Sequence, residues 1–420
     1  MKRFAFICAL AAAMVLLPLA AYAGIGSPPF AFGFGARGIG MGAAYTALSG
    51  DASCAFFNPA AMPLLDHSQI MLSYLYAAPN FRGGPSNGEK FTFDSPNKMI
   101  QTDFALKLNG LFKSSFPLSL GLNIALDDNG KAFIRFYDQP VSKGYYYRYG
   151  TASFVLNLTV GFGITDWLFL GGGALTTLHA RNNMALDTDL AGNTSHQGLE
   201  VDTDTAIAPV ASILLHFKPV DIGFAWHGRN SGAFGPMVVS ATATVGNSPL
   251  ANLPMTLYFK DNYNPDRVSG GVYWRVLDSF RIAADVAWYR WSDFSTEIKT
   301  KDMARDGYVI KFRDTWVPHL GFEYEPLQGL NLRLGYSYDQ TPVVTPGTSG
   351  NVILDSTKHI GSVGIGYTWV DAPLLATPIS FDAAYFIQYL VPTTLTTSDG
   401  QDFDSRGTLN GGIFSLTLRF

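Results

Sequence analysis

Charge is scarce in this chain. Asp, Glu, Lys and Arg make up 15% of its 420 residues, well below the roughly 25% of an ordinary soluble domain. The 29 basic residues face 33 acidic ones, for a formal net charge of -4. That balance argues against a nucleic-acid partner, which calls for a basic surplus. Cysteine is nearly missing: only Cys8 and Cys54 occur. Cys8 falls in a segment expected to be removed and is not placed for lipidation, so no intramolecular disulfide is possible. After the first twenty residues no apolar run is long enough to span a bilayer as a helix. The histidines, at 67, 179, 196, 216, 227, 319 and 359, form no H-x-x-x-H pair and have no cysteine partner. They leave a structural metal site unsupported.

What is plentiful is glycine and aromatics: 43 Gly, 31 Phe, 20 Tyr and 7 Trp, beside 23 Pro. So much apolar and aromatic content excludes a disordered chain. Glycine and proline at this density would interrupt the helices of a soluble α-helical enzyme. Low charge, many aromatics and abundant glycine in one long chain fit a transmembrane β-barrel.

The N-terminus carries Lys2 and Arg3, an apolar stretch from Phe4 to Leu19, and Ala21, Tyr22 and Ala23 as a small-x-small cleavage site. Residues 1–23 are therefore expected to be a signal peptide, with Gly24 opening the mature chain. A membrane anchor is the competing reading. The shortness of the run and the cleavage site behind it speak against that.

The body alternates with period two. Gly412, Phe414, Leu416, Leu418 and Phe420 fall on one face, with Ile413, Ser415, Thr417 and Arg419 on the other. Leu118, Leu120, Leu122, Ile124 and Leu126 alternate with Ser119, Gly121, Asn123 and Ala125. Helices, with period 3.6, cannot present such faces. Strands are expected near 67–77, 101–113, 116–127, 150–163, 168–180, 203–217, 219–231, 254–276, 279–292, 310–325, 329–339, 359–370, 378–391 and 410–420. Fourteen is an even number, as single-chain bacterial barrels require. Tight connections at Ser114–Ser115 and Gln328–Gly329 read as periplasmic turns. Long polar connections, such as 78–100 and 181–202, read as extracellular loops. Trp167, Trp226, Trp274, Trp291 and Trp369 lie near strand ends, as interface girdles do. A soluble β-sandwich would need far more surface Lys and Glu.

Residues 24–66 show neither strand alternation nor a long helical face. They are dense in glycine and too apolar for a disordered tail. They are expected to fold as a plug, or hatch, in the lumen, ahead of a barrel over 67–420.

Several tempting motifs lack their context. Gly33, Gly35 and Gly38 match G-x-G-x-x-G, but no strand precedes them. Gly84, Ser86 and Gly88 match G-x-S-x-G in a polar loop without the strand-turn-helix setting. Asp127, Asp128 and Asn129 read as a solvated turn rather than a calcium site. No catalytic residue, cofactor or metal is expected. Arg281, Asp285, Arg333 and Asp339 take the inward parity of their strands. They either bind a carboxylate head group or brace a polar lumen, and bracing is the more ordinary use.

The run from Gly35 to Ala44 (GARGIGMGAA), followed by Asp51 and by Asn58, Pro59 and Ala60, resembles the hatch signature of the FadL-type outer-membrane transporters. Further along, Val286 to Phe294, Asp314 to Trp316, and Arg333 through Tyr336, Tyr338, Asp339, Thr341 and Pro342 follow in that family's order. The resemblance covers essentially the whole mature chain. One departure is Ala61 where many members have glycine. The resemblance implies a fourteen-stranded barrel in the outer membrane of a Gram-negative bacterium, closed by the hatch. It would admit fatty acids or other hydrophobic small molecules to an apolar groove, without covalent chemistry. Release would run sideways into the membrane lipid, through a gap at a kink in the third strand, here 116–127, where Pro117 and Gly121 are compatible with irregular pairing. Arg37 is the foremost candidate for ligand contact, and Asn58, Pro59 and Ala60 are candidates for gating. Phe420 resembles the terminal signal that the barrel assembly machinery reads for insertion. A structural or interaction barrel of a secretion or attachment system is the alternative, since such barrels carry similar glycine signatures.

Overall fold

Strands whose side chains alternate between an apolar and a polar face can bury every backbone group in lipid only if the sheet has no free edge. Here it has none. The computed structural model describes residues 28–94, 96–108, 116–127, 134–136, 144–147, 154–189, 194–233, 237–245, 248–257, 260–294, 310–349, 351–370 and 377–420. The expected signal peptide and the turn at Ser114–Ser115 lie outside these residues.

The barrel strands, numbered in chain order, are β1 Gln69–Pro85, β2 Asn97–Lys107, β3 Leu118–Asp127, β4 Phe154–Gly163, β5 Leu168–Asp189, β6 Thr194–Phe217 and β7 Val220–His227. They continue as β8 Arg267–Leu277, β9 Phe280–Tyr289, β10 Thr315–Leu327, β11 Leu330–Asp339, β12 Lys358–Trp369, β13 Ile379–Thr396 and β14 Asp402–Arg419. Each pairs antiparallel with the next. β14 returns to β1 in a ladder from Gln69–Arg419 to Pro85–Phe403, closing a 14-strand barrel. The exposed aromatic and aliphatic side chains belong to one parity of each strand. Tyr74, Phe224, Tyr385 and Phe414 are each about half exposed, whereas Ser73, Asp221 and Ser415 are buried.

All fourteen expected strands are present, with differences at their ends. The stretch 254–276 is not one strand: β8 begins only at Arg267, and residues 248–257 form a hairpin with 237–245 that pairs parallel to the outer end of β5. A separate short strand, Lys260–Asn264, pairs with Asn230–Ala233, and Pro265 and Asp266 separate it from β8, as turn residues do. The stretch 181–202 is mostly not a loop. β5 and β6 pair across it, Arg181 opposite Asp202. The sequence of this stretch carries no sustained apolar parity that would betray a strand. β3 is paired on both sides without a register shift, from Ser119 to Leu126. Trp167, Trp226, Trp274 and Trp369 are exposed at strand ends, but Trp291 is buried. It sits in a 3-10 turn with Tyr263, Phe294 and Phe312 around it, where the chain leaves β9 and folds over the outer rim.

Inside the ring lies residues 28–65. Short helices α1 Pro28–Phe32, α2 Ala36–Gly40 and α3 Cys54–Phe57 precede a 3-10 helix over Pro59–Leu64. Glycine at this density prevents any longer helix. Gly33 and Gly42 reverse the chain at φ 89° and 64°, a region that favours glycine. The segment is bound internally by rings. Phe34 and Phe56 have centroids 4.4 Å apart, and Tyr45 and Phe57 5.0 Å. The α2 helix packs on β11 to β14, while the 3-10 helix packs on β3 to β6 across the barrel. None of the helices among the described residues is long and apolar enough to cross a membrane, which says nothing of spanning strands.

Candidate functional site: the lumen and its N-terminal segment

Three sets of contacts fix this segment to the wall. The first centres on Asn58. Its Nδ2 donates to the Thr46 carbonyl at 2.6 Å and to the Ile213 carbonyl of β6 at 3.2 Å. Its Oδ1 accepts from the Ala60 N–H at 3.0 Å, which also donates to Ser212 Oγ at 3.0 Å. Asn58 thus acts as the N-cap of the 3-10 helix, and Pro59, lacking an N–H, suits the helix's first position. Asn-Pro-Ala lies against β4 and β5 where the wall has no side chains. A Cβ at Gly161 would come within 2.2 Å of the Pro59 oxygen, and one at Gly171 within 2.4 Å of the Ala60 nitrogen. Gly121 of β3 does the same for Met62 and Ala55. Pro117 stands apart from this contact; its carbonyl accepts from the Gly163 N–H at 2.9 Å.

The second set is ionic. Arg37 Nε and Nη2 reach Glu323 Oε2 and Oε1 of β10, each at 2.8 Å. Arg333 Nε reaches the same Oε2 at 2.8 Å, and its Nη1 reaches Asp382 at 2.6 Å. Arg281 adds a 3.2 Å contact to Glu323 and one of 2.7 Å to Glu325. Of the expected charges, Arg37, Arg281 and Arg333 therefore meet around one carboxylate. Asp285 is elsewhere, accepting from the Thr46 N–H at 2.6 Å, and Asp339 lies 3.2 Å from Lys358 Nζ. Glu323 was not singled out from the sequence. Folding the chain about Gln328–Gly329 places it opposite Arg333, which is the signal that would have found it.

The third set is polar. Gln101 of β2 accepts from the Gly35 N–H and donates to the Gly33 carbonyl, and Ser415 Oγ accepts from the Ala36 N–H. Within the segment, the Tyr45 hydroxyl donates to Asp51 at 2.7 Å. Burial, reinforced by the Asp51 charge, pushes that phenol well above its usual range. Phe420 ends the ladder, its N–H donating to the Ser68 carbonyl and its ring about half exposed.

Over the outer side of the segment opens a cavity. Its floor includes Pro29, Phe30, Phe32, Ile39 and Phe57, and its wall Val317 and Phe386. Arg267, Asp285, His319, Asp339 and Lys358 supply the polar part. Among the described residues no three His, Cys, Asp or Glu side chains gather as a metal site.

A closed fourteen-stranded ring, apolar outside, defines a transmembrane β-barrel. The family model for "Outer membrane protein transport protein (OMPP1/FadL/TodX)" matches residues 33–420. The chain belongs to that family. It is 24% identical over 393 residues to alkane uptake protein A of Marinobacter nauticus, across 88% of this chain and 86% of that protein. Its fold is similar to the crystal structure of a Pseudomonas aeruginosa FadL homologue, with TM-score 0.62 and 17% identity over 96% of this chain and 99% of that one. It is also similar to the toluene transporter TodX of P. putida, with TM-score 0.57 and 15% identity over 93% and 99%.

Proposed function

We propose that this chain is a passive channel in the outer membrane of a Gram-negative bacterium, taking up hydrophobic small molecules such as fatty acids or hydrocarbons. The observation that carries the reading is the partly apolar cavity floored by Phe32, Ile39 and Phe57, with the N-terminal segment beneath it. Each CH₂ removed from water there contributes about 0.8 kcal/mol. Affinity on that scale holds a chain-like ligand in place, so onward movement needs a change in the protein. The N-terminal segment is the element suited to supply it, as a hatch hinged on Asn58, Pro59 and Ala60. Gly121, which touches that hatch from β3, would couple its movement to the wall, with Pro117 marking the end of the same strand. The reading needs no cofactor and no covalent step. Phe420 serves as the insertion signal for the barrel assembly machinery.

The test is uptake of labelled hexadecanoate, hexadecane and toluene by cells that lack their own channel of this kind. Production of the protein should raise uptake of at least one of them several-fold over empty-vector cells. Equal uptake of all three, with folded barrel in the outer membrane, overturns the reading.

A further inference from the structure

We propose that Arg82 and Arg406 form a phosphate clamp on the outside of the barrel, and that its partner is the phosphorylated glycolipid of the outer leaflet. This rests on the outer-membrane placement above and not on which molecule is taken up.

Arg82 of β1 and Arg406 of β14 are both exposed, and they share the outward parity of Leu72, Tyr74, Tyr76 and Phe414. The closing ladder sets the two arginines directly opposite each other. Side chains so placed start about 5 Å apart, and like charges there repel. Among the described residues no carboxylate lies within ion-pair distance of either, and neither side chain has a hydrogen-bond partner. Asp404, next on the same face of β14, is already held: Lys90 Nζ reaches it at 2.7 Å, and the Ser86 and Thr394 hydroxyls donate to it at 2.8 and 2.9 Å. The ladder thus keeps a repulsive pair that nothing in the described chain neutralises.

The height of the pair points to what fills it. Both arginines lie at the end of their strands away from Phe420. From Ile70 to Arg82 the strand climbs about 30 Å along the membrane normal, at ~3.3 Å per residue and a ~40° tilt, against an apolar band about 25 Å tall. The guanidinium groups therefore stand at head-group level. Below them the outer face changes in order. Asn80 lies opposite Thr408, and Thr408 opposite Tyr389 of β13. Tyr76 and Tyr385, each about half exposed, come next, and Tyr74, Leu72 and Phe414 follow toward the periplasmic end. A phosphorylated glycolipid has the same sequence of chemistry: phosphate, then sugar amides and hydroxyls, then acyl chains. Each guanidinium can give a phosphate two parallel N–H bonds, and a dianion between the two offsets their repulsion. Asn80 and Thr408 meet the sugar, and the acyl chains lie along Tyr76, Leu72 and Phe414. A zwitterionic phospholipid brings its own cation, and a free phosphate brings no chain, so each matches only part of this face.

Native mass spectrometry of the purified barrel in uncharged detergent tests this, with bis-phosphorylated lipid A, dephosphorylated lipid A, phosphatidylethanolamine and inorganic phosphate as probes. Wild-type protein should bind the bis-phosphorylated lipid at least tenfold more tightly than the dephosphorylated lipid or phosphatidylethanolamine. Arg82→Gln combined with Arg406→Gln should remove that preference. Arg82→Lys combined with Arg406→Lys should keep part of it, since charge is restored without the fork. Heat-modifiable mobility of each variant on gels verifies that the barrel is folded. No preference in the wild type, or the same preference in the double Gln variant, overturns the proposal. Inorganic phosphate that displaces the lipid at equal concentration assigns the pair to a free anion and overturns the lipid partner. Wild-type protein that reaches the outer membrane but takes up none of hexadecanoate, hexadecane and toluene overturns the uptake reading and leaves this proposal standing. Folded wild-type barrel found outside the outer membrane overturns both.

Discussion

Arg37 and Glu323 stand 286 positions apart and meet in a two-pronged ion pair, Nε to Oε2 and Nη2 to Oε1, each at 2.8 Å. The Glu323 side chain is 1% exposed, and Arg333 and Arg281 crowd the same carboxylate. One barrel-wall acid thus bridges a cation of the N-terminal segment to two of the wall, which are further paired with Asp382 and Glu325. Removing one partner of a buried pair commonly costs about 3–5 kcal/mol, because the remaining charge keeps its burial and loses its counter-charge.

Glu323→Gln should therefore loosen the N-terminal segment more than it affects the ring, whose backbone ladder does not depend on that side chain. Heat-modifiable mobility should be kept, while cells producing the variant should admit small polar solutes faster than wild type. Equal permeability of the two would show that the pair does not hold the segment.

Cys54 offers a built-in reporter of the same looseness. It is fully buried, the one cysteine among the described residues. Burial, with Asp51 and Asp103 adding to it, holds its thiol well above the usual range. A raised folded-state pKa means less thiolate at pH 8 than an ordinary cysteine has, so maleimide should react slowly for want of both access and thiolate. Gly161→Leu should change that. A side chain there meets the Pro59 backbone oxygen at 2.2 Å and cannot be accommodated by a rotamer change. Labelling at pH 8 should rise at least tenfold in the variant. An unchanged rate in a folded variant would mean that the glycine contact does not seat the segment.

These contacts mark how far the sequence could be read. The fourteen strands were legible because lipid demands an apolar outer parity, as in Phe414, Leu416 and Leu418. The outer halves of β5 and β6 were not, since the sequence from Arg181 to Asp202 carries no sustained apolar parity. Arg37, Asn58, Pro59 and Ala60 could be singled out locally, yet their partners Glu323, Thr46 and Ser212 could not. Only barrel closure and register bring Ser212 and Glu323 to opposite sides of one segment.

Asn58 carries the last prediction. Asn58→Ala leaves the Thr46 and Ile213 carbonyls without this donor, and leaves the Ala60 N–H with Ser212 alone. Each buried group that loses its partner costs about 1–3 kcal/mol. Pro59→Ala adds chain freedom in the unfolded segment, a further ~0.4–1 kcal/mol. Neither change touches the barrel ladder. The double variant should keep its heat-modifiable mobility and reach the outer membrane at normal levels. Because the segment carries Phe32, Ile39 and Phe57 on the cavity floor, uptake of a labelled long-chain ligand should fall several-fold while small-solute leakage rises. Unaltered uptake together with unaltered leakage would remove the gating role from Asn-Pro-Ala and leave it a purely structural cap.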